Sequence, residues 1–431
     1  MDSRPVDRRK GWTPQPRPEW VQRINEEGGY MDATGVVPLD ADSLIAAAMR
    51  NTGLTDFGSD DWRDPFKVLV KAFDEESELH LIGRLWARSE VLMFLEGRLR
   101  IEDTYKRHPE IEDEEIVKPL LLMGQGRSGT TGMHHLLSAD PELRAPATWG
   151  IMLPYPPPEK ATFHSDPRIR KAHDRITIWN RVTPEIVSMH DFAGELATET
   201  IQIHALAFQS PGWFNLLGQV PSYNEYMAKI GTRGAYEYER RVCKYLQWKN
   251  PGLRWVHKTI YPDVMLDVLK YFPDTQFVWV HRDPIKSLAS LVNVTGTVFW
   301  AHSDRTYTDR ITEGQAGDLE SLASAQALAG RMNTIIDWLD KGLVPKQQIC
   351  NVLYKDYVAD PLDTVKWIYE RFSIDVPETS FVALQAHIDK VARQRATKLP
   401  FTYEIGTPEQ VAKEREIYRR YQTYFSIPSE A

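Results

Sequence analysis

The chain has 431 residues, of which 42% are hydrophobic and 26% charged, and its formal net charge is −8 at pH 7. This length accommodates a large α/β domain with extensions or two domains, and the composition is that of an ordinary globular protein. The negative charge argues against general nucleic-acid binding. An anionic ligand would therefore have to be bound by a local cluster of cations.

Several features of the sequence bear on the cellular compartment. No apolar run approaches the length of a membrane span, and the basic N-terminus is not followed by the apolar segment of a secretory signal. The two cysteines, Cys243 and Cys350, are too few for a disulfide framework and lack the spacing of metal ligands. We therefore expect a cytoplasmic enzyme with no membrane span.

Residues 1–116 are predicted to form an N-terminal arm and a helical extension. The first 36 or so residues are rich in Pro, Arg and Gly and predict an extended arm. Apolar residues then recur at helical spacing, most clearly from Leu81 to Leu99, which predicts a helix with one apolar face. The opposite face of this helix is charged and is predicted to be solvated; it carries Arg84, Arg88, Glu96 and Arg98. The extension would pack on the core or on a partner subunit, so its apolar face could serve a homodimer.

Four short apolar segments predict the strands of a parallel sheet: residues 120–123, 253–257, 275–280 and 349–353. Helical patterns follow them, including one over residues 318–339. Strands that alternate with helices in this way are typical of a doubly wound parallel sheet, so we predict an α/β fold over residues 117–431. Ligands of such sheets bind at the carboxyl ends of the strands. Four chemically suited side chains follow the predicted strands: Arg127, Lys258, Arg282 and Tyr354.

The segment after the first predicted strand is a glycine-rich loop that leads into a helical pattern. Gly124 and Gly129 have the spacing of a P-loop, and Thr131 occupies its Ser/Thr position. Such a loop presents backbone N–H groups to an anion at the start of a helix. Thr130 stands where the P-loop lysine would be, however, and the nearest cation is Arg127. A tight turn that needs the conformational freedom of glycine is the alternative interpretation.

Residues 168–250 combine helical patterns with many aromatic side chains. These aromatics either belong to the core or line an apolar acceptor pocket. Near the C-terminus, a basic run could close over an anionic cofactor or form a solvated face; it comprises Lys390, Arg393, Arg395 and Lys398.

Three signatures resemble those of the sulfotransferases that use 3′-phosphoadenosine 5′-phosphosulfate (PAPS), in particular the bacterial branch whose loop reads RSGTT. Arg127-Ser128-Gly129-Thr130-Thr131 is similar to the loop that holds the 5′-phosphosulfate. Arg282, followed eight residues later by Ser290, resembles the pair that binds the 3′-phosphate. Tyr354 opens a segment similar to the family's YED next to the adenine, and KTIYP at 258–262 aligns with KTHLP. The resemblance covers roughly residues 118–373.

The resemblance implies an enzyme that transfers the sulfuryl group of PAPS to a hydroxyl or amine of a small acceptor, apolar or glycan-like. Such a transfer should be in-line and loose, as phosphoryl transfer is. Positioning and fixed positive charge from Arg127, Lys258 and the loop N–H groups would then supply most of the rate. No metal is required, and the spacing of the histidines and cysteines indicates none. For Arg282, the alternative interpretation is a surface ion pair with its neighbour Asp283.

Two positions depart from the family pattern. Ile260 stands where the family has its catalytic His, so the general base must come from elsewhere. Residues 189–199 resemble a segment in which the bacterial branch carries a Glu, and we predict Glu199 as the base, with His190 and Glu195 as alternatives. Glu199 could also be a purely structural carboxylate. Gly132 stands where many members have a Trp that stacks on adenine, so that role would pass to another aromatic residue.

Two other functions are compatible with the fold. One is a P-loop nucleotide kinase or NTPase, although the P-loop lysine and an obvious acidic Mg²⁺ site are both missing. The other is a non-catalytic nucleotide-binding protein in which Ile260 and Gly132 mark a decayed site, since fold alone does not decide function.

Overall fold

A five-stranded parallel sheet forms the centre of the protein, as seen in a computed structural model that describes residues 8–313, 323–397 and 403–430. The strands are β1 (Leu120–Met123), β2 (Leu143–Arg144), β3 (Arg254–Thr259), β4 (Gln276–His281) and β5 (Ile349–Leu353). Their order in the sheet is β2-β3-β1-β4-β5, and every neighbouring pair is parallel. Four of the strands confirm the sequence prediction. Strand β2 was missed because two residues are too few to show a pattern.

The apolar side chains of β1 explain why this strand lies in the middle of the sheet. All four of its residues are buried. Leu120 and Leu122 point into one apolar core, whereas Leu121 and Met123 point into the other. Because successive side chains of a strand face opposite ways, both faces of the sheet are covered. The predicted doubly wound α/β architecture is therefore confirmed.

The helices that precede the sheet are α1 (Glu19–Gly29), α2 (Ala33–Val36), α3 (Ala41–Thr52), α4 (Arg63–Glu75) and α5 (Leu81–Arg107). Those between β1 and β4 are α6 (Thr130–Leu137), α7 (Thr148–Met152), α8 (Arg168–Ile176), α9 (Ile178–Val182), α10 (Thr200–Ala205), α11 (Pro211–Phe214), α12 (Pro221–Ile230), α13 (Arg233–Gln247) and α14 (Met265–Tyr271). Those after β4 are α15 (Pro284–Trp300), α16 (Tyr307–Thr312), α17 (Ala325–Asp340), α18 (Tyr354–Ala359), α19 (Pro361–Phe372), α20 (Glu378–Thr397) and α21 (Pro408–Phe425). Short 3₁₀ helices lie at Arg8–Gly11, Asp60–Trp62, Pro109–Asp113, Pro184–Ser188, Pro262–Val264 and Lys346–Gln348.

Helix α5 corrects the prediction of a solvated charged face. Arg98 is fully buried, and its Nε donates to the carbonyl of Phe57 at 2.7 Å. Arg84 is also buried, and its Nη2 lies 2.6 Å from Asp74 Oδ1. Leu85, one of the apolar residues between Leu81 and Leu99 from which the apolar face was predicted, is 49% exposed. Burial of an arginine is tolerated where carbonyl or carboxylate oxygens satisfy its guanidinium, and helical periodicity alone does not reveal such partners. The helix is therefore enclosed on most sides by its own chain.

The C-terminal helix α21 packs against side chains of strand β4. The hydroxyl of Tyr421 lies 2.9 Å from Nδ1 of His281, the last residue of the strand. This contact ties the end of β4 to a segment far along the chain. On α20, Lys390 and Arg393 are exposed, whereas the side chain of Arg395, residue Lys398 and residues 318–322 of a predicted helix lie outside the described residues. Within the described part of the chain, no helix is long and apolar enough to cross a bilayer.

Candidate active site

The glycine-rich loop after β1 makes a tight turn into helix α6. Gly129 has φ +100°, and a Cβ at this position would lie 2.6 Å from the Tyr354 ring. A Cβ on Gly124 would lie 2.6 Å from Ser128 Oγ and from the carbonyl oxygen of Val280. Both glycines are thus required by close approach, as well as by backbone conformation at Gly129. Helix α6 begins at the next residue, Thr130, so the loop presents its N–H groups at a helix N-terminus.

Arg127 lies within this loop and reaches across to the helix that follows β4. Its Nε donates to Ser290 Oγ at 2.9 Å, and its Nη1 donates to the carbonyl of Met189 at 2.8 Å. The backbone of Arg127 has φ +73°, which is a strained conformation for a residue with a Cβ. Burial lowers the pKa of its guanidinium, but an arginine stays charged in proteins. The loop is therefore shaped to hold one cation beside Ser290.

Arg282 joins the same group of residues at the end of β4. Its Nη1 donates to the carbonyl of Arg127 at 3.2 Å, and its guanidinium lies 4.2 Å from the centre of the Tyr354 ring. Residues predicted from four separate segments, Arg127, Arg282, Ser290 and Tyr354, thus come together at the carboxyl ends of β1, β4 and β5. We call these four residues the arginine cluster.

The partner of Arg282 is a residue that the sequence did not suggest. The carboxylate of Glu430 lies 3.1 Å from Arg282 Nη2, and the backbone N–H of Glu430 donates to Asp283 Oδ2 at 2.7 Å. Asp283 is fully buried and pairs with Arg415 at 2.9 Å. The alternative in which Arg282 pairs with Asp283 is therefore wrong. The fork of Arg282 binds an oxyanion supplied by the C-terminal segment.

A second group of residues surrounds Lys258, which lies in β3 and is 2% exposed. Its Nζ lies 2.5 Å from Glu199 Oε1 and donates to Thr131 Oγ1 at 3.0 Å. Glu199 stands immediately before helix α10, and its Oε2 is buried without a hydrogen-bond partner among the described residues. We call Thr131, Glu199 and Lys258 the lysine cluster. The loop 127–131 connects it to the arginine cluster.

The two alternative bases differ in their surroundings. Burial, together with the charges of Lys258 and Arg127, lowers the pKa of His190 to about 3. His190 is therefore a neutral imidazole, close enough to Lys258 and Arg127 for their charges to act on it. Glu195, in contrast, has an exposed carboxylate 3.9 Å from Nδ1 of His173. The structure brings His190 to the site and turns Glu195 towards another partner.

The aromatic residues of 168–250 are largely core. Side chains buried in the main apolar core include Trp179, Phe208, Trp213, Phe214 and Tyr223. Phe192 is only partly buried; it stacks on Trp179 at 5.7 Å, and its ring centre is 4.6 Å from that of His190. Most of these aromatic residues therefore pack in the apolar core. Phe192 differs in that its ring lies beside His190.

At Gly132, the structure explains the departure from the family pattern. A Cβ there would lie 3.0 Å from the hydroxyl of Tyr357, so a tryptophan would require Tyr357 to move. Tyr354 and Tyr357 are neighbours, with ring centres 6.5 Å apart. Tyrosines that follow β5 therefore occupy the space next to the loop.

The fold and the site together define a parallel α/β protein with an arginine cluster and a lysine cluster at the carboxyl edge of its sheet. The profile of a protein family described as the sulfotransferase family matches residues 119–378, more than half of the chain. The chain belongs to this family, which confirms the resemblance seen in the three signatures.

Two solved structures from mycobacteria are similar over nearly their whole length. The sulfotransferase STF1 of Mycobacterium tuberculosis is 26% identical, with a TM-score of 0.69 over 88% of this chain and 97% of STF1. The sulfotransferase STF9 of Mycobacterium avium is 23% identical, with a TM-score of 0.70 over 91% of this chain and 98% of STF9. The similarity therefore includes most of the N-terminal helices as well as the sheet. No curated protein matches the chain.

Proposed function

We propose that this protein uses PAPS as its sulfuryl donor and transfers the sulfuryl group to a hydroxyl or amine of a small acceptor. The observation that carries the proposal is that one loop joins two clusters, each of which contains at least one buried or partly buried cation. PAPS has two anionic ends, a 3′-phosphate and a 5′-phosphosulfate, and each end requires its own positive charge. The family membership and the match of Arg127, Arg282 and Ser290 to the family's signatures support the same assignment.

The arginine cluster has the chemistry to bind a 3′-phosphate. The fork of Arg282 already binds the carboxylate of Glu430, which shows that it accepts an oxyanion. The Ser290 hydroxyl would complete the contact. Arg127, whose signature belongs to the 5′-phosphosulfate, donates to Ser290 Oγ at 2.9 Å and would add positive charge between the two ends of PAPS. Tyr354 lies against both Arg282 and Gly129 and would border the adenine.

The lysine cluster has the chemistry to act on the 5′-phosphosulfate. When bound, PAPS supplies an activated sulfuryl group whose transfer leaves a phosphate oxygen as the leaving group. Lys258, Thr131 and the loop N–H groups of Gly129 and Thr130 would stabilise negative charge on that oxygen. Because Lys258 is buried, its charge is screened little by water.

Glu199 is our proposed general base. Its Oε1 holds Lys258, and its Oε2 remains available to accept the proton of an acceptor hydroxyl. The hydroxyl oxygen would form the new bond to sulfur as the bond between sulfur and the phosphate oxygen breaks, and the proton would pass to Oε2. His190 is a weaker candidate because a pKa of about 3 makes it a poor proton acceptor.

The division of the chain follows from this assignment. We propose that residues 117–431 carry the reaction, that residues 1–116 form a supporting extension, and that 168–250 lies on the acceptor side with Phe192 as a lining residue. An apolar or glycan-like acceptor would suit an aromatic lining. Cys243 and Cys350 are free and buried, which supports a reducing compartment such as the cytoplasm.

Calorimetry with 3′-phosphoadenosine 5′-phosphate (PAP), the product of PAPS, tests the proposal. We expect PAP to bind with and without Mg²⁺, and we expect turnover of PAPS when a panel of hydroxyl and amine acceptors is screened. Preferential binding of ATP–Mg²⁺ would instead favour a kinase or NTPase. Tight binding of PAP without transfer to any acceptor would favour a non-catalytic protein.

A further inference from the structure

Three buried side chains beneath the lysine cluster carry donor atoms that metals prefer. Glu239 and Cys243 lie four residues apart on helix α13, so they share one face of the helix. His257 lies on the neighbouring strand β3. One carboxylate oxygen, the thiol sulfur and one imidazole nitrogen of this set all lie within 4.8 Å of one another. The sequence did not suggest the group because its members come from separate elements.

The distances within the group are close to those around a tetrahedral zinc ion. Nδ1 of His257 lies 3.4 Å from Oε1 of Glu239, and two such ligands at ordinary zinc bond lengths stand about 3.4 Å apart. Sγ of Cys243 lies 4.0 Å from Nε2, the other nitrogen of the same ring. A sulfur and a nitrogen bound to one zinc ion stand about 3.6 Å apart, so the imidazole has to turn for a single nitrogen to face both partners. A rotation of the imidazole and a small movement of the thiol would bring the three donors onto one ion.

Two further observations indicate a ligand at this place. His257 is buried, and its Nδ1 makes no hydrogen bond among the described residues, although Glu239 Oε1 is only 3.4 Å away. A cavity of about 20 Å³ adjoins it, bordered by Glu239, Tyr236 and Thr200 among others. A cavity of that size holds about one water molecule. A water in the cavity would provide the fourth ligand of a tetrahedral ion.

The surroundings of Glu239 resemble the outer shell of a metal site. His204 Nε2 lies 2.6 Å from Glu239 Oε2, the oxygen that does not face His257. An outer histidine or carboxylate of this kind orients a ligand and is common around protein-bound metals. A carboxylate and a thiolate would also neutralise a divalent ion, so no net charge would be buried.

We propose that Glu239, Cys243 and His257 bind one Zn²⁺ ion. The mixture of sulfur, nitrogen and oxygen donors suits zinc better than magnesium or calcium, which prefer oxygen ligands alone. The site lies next to the proposed catalytic residues: His257 precedes Lys258 in β3, and His204 lies on α10, the helix that begins directly after Glu199. The ion would hold together the strand and the helix that carry Lys258 and Glu199.

Metal analysis of the full chain tests this inference. Protein expressed with added zinc and purified without chelator should contain about one zinc ion per chain. Replacement of zinc by Co²⁺ should produce a thiolate-to-cobalt charge-transfer band and the strong visible absorption of four-coordinate cobalt. The absence of zinc together with the absence of both cobalt signals in the wild-type protein would overturn the proposal.

Cysteine variants locate the site. Cys243→Ser should lower the zinc content by about tenfold or more and remove the charge-transfer band. Cys350→Ser is the matched control, because Cys350 is also buried but lies on β5 in the other apolar core; it should keep both signals. If Cys243→Ser retains as much zinc as the wild-type protein, the ion lies elsewhere and the assignment is refuted.

If Cys243→Ser does not fold, X-ray absorption of the wild-type zinc protein tests the site. We expect one sulfur neighbour of the zinc ion, and the absence of that neighbour would contradict the site. These readouts do not depend on PAPS.

Discussion

The carboxylate of Glu430 lies on the guanidinium of Arg282, with Oε2 3.1 Å from Nη2 and both side chains partly exposed. A bound 3′-phosphate would need the same fork, so we expect Glu430 to compete with the nucleotide. Glu430→Gln should tighten PAP binding a few-fold, since a partly exposed ion pair contributes roughly 0.3–1 kcal/mol. Calorimetry measures the change. Glu416→Gln, which removes an exposed partner of Arg419 on α21, should leave the Kd unchanged. Weaker binding by Glu430→Gln would mean that Glu430 orients Arg282 instead.

Arg282→Ala should mainly weaken nucleotide binding. Loss of a charge-assisted, two-pronged contact costs roughly 1.5–3 kcal/mol, so we expect the Kd for PAP to rise about 10- to 100-fold. Arg170→Ala is a suitable control because Arg170 is an exposed arginine paired with Asp174. An unchanged Kd in Arg282→Ala would remove this residue from the phosphate site.

Glu199→Gln should lower kcat while the Kd for PAP stays close to that of the wild-type protein. A lost general base costs about 10²- to 10⁴-fold in rate, and a glutamine keeps the size of the side chain and one acceptor for Lys258. Glu195→Gln is the matched control, since Glu195 belongs to the same segment but is exposed and faces His173. Both variants are compared in a sulfuryl-transfer assay with an acceptor found by screening. Full activity of Glu199→Gln would show that the base assignment is wrong.

Gly129→Ala should destabilise the loop and reduce nucleotide binding. The residue has φ +100°, and a Cβ would lie 2.6 Å from the Tyr354 ring, so strain and displacement together should cost about 1–3 kcal/mol. Denaturant unfolding measures this loss. In Gly330→Ala, on helix α17, the new Cβ meets no described atom within 4 Å. That control should be neutral or stabilising by up to about 1 kcal/mol.

The free energy of unfolding should fall as the pH falls from about 6.5 towards 4. Burial is the main cause that lowers the pKa of five histidines to about 4 or about 3: His80, His135, His190, His281 and His302. In this range the unfolded chain binds protons that the folded chain does not, so folding stability rises with pH. Each histidine contributes about 1.4 kcal/mol per pH unit between its two pKa values. His302→Asn should reduce the slope of the unfolding free energy against pH by the equivalent of about one proton. His108→Gln, at an exposed position, should change this slope less. Equal slopes in the wild-type and His302→Asn proteins would contradict the assignment.

Local signals in the sequence were sufficient for the sheet and the loop. Strands β1, β3, β4 and β5 were recognisable because each is a short apolar run next to a helical pattern. The loop was recognisable because close approach admits only glycine at positions such as Gly124 and Gly129. The order of the signatures along the chain then indicated that Arg127, Arg282 and Tyr354 meet, because parallel strands end at one edge of a sheet.

The α/β class, the glycine-rich loop and the family could be read from the sequence, since each depends on residues that lie close together in the chain. The tertiary structure alone decided the contacts between distant segments. Glu430 pairs with Arg282, which is 148 residues away in the chain. Arg98 is buried and donates to the carbonyl of Phe57. Cys243 on α13 lies next to His257 on β3. Such contacts depend on how helices pack on the sheet, and the pattern of one segment does not carry that information. The same packing brings Lys258 and Glu199 to 2.5 Å from one another.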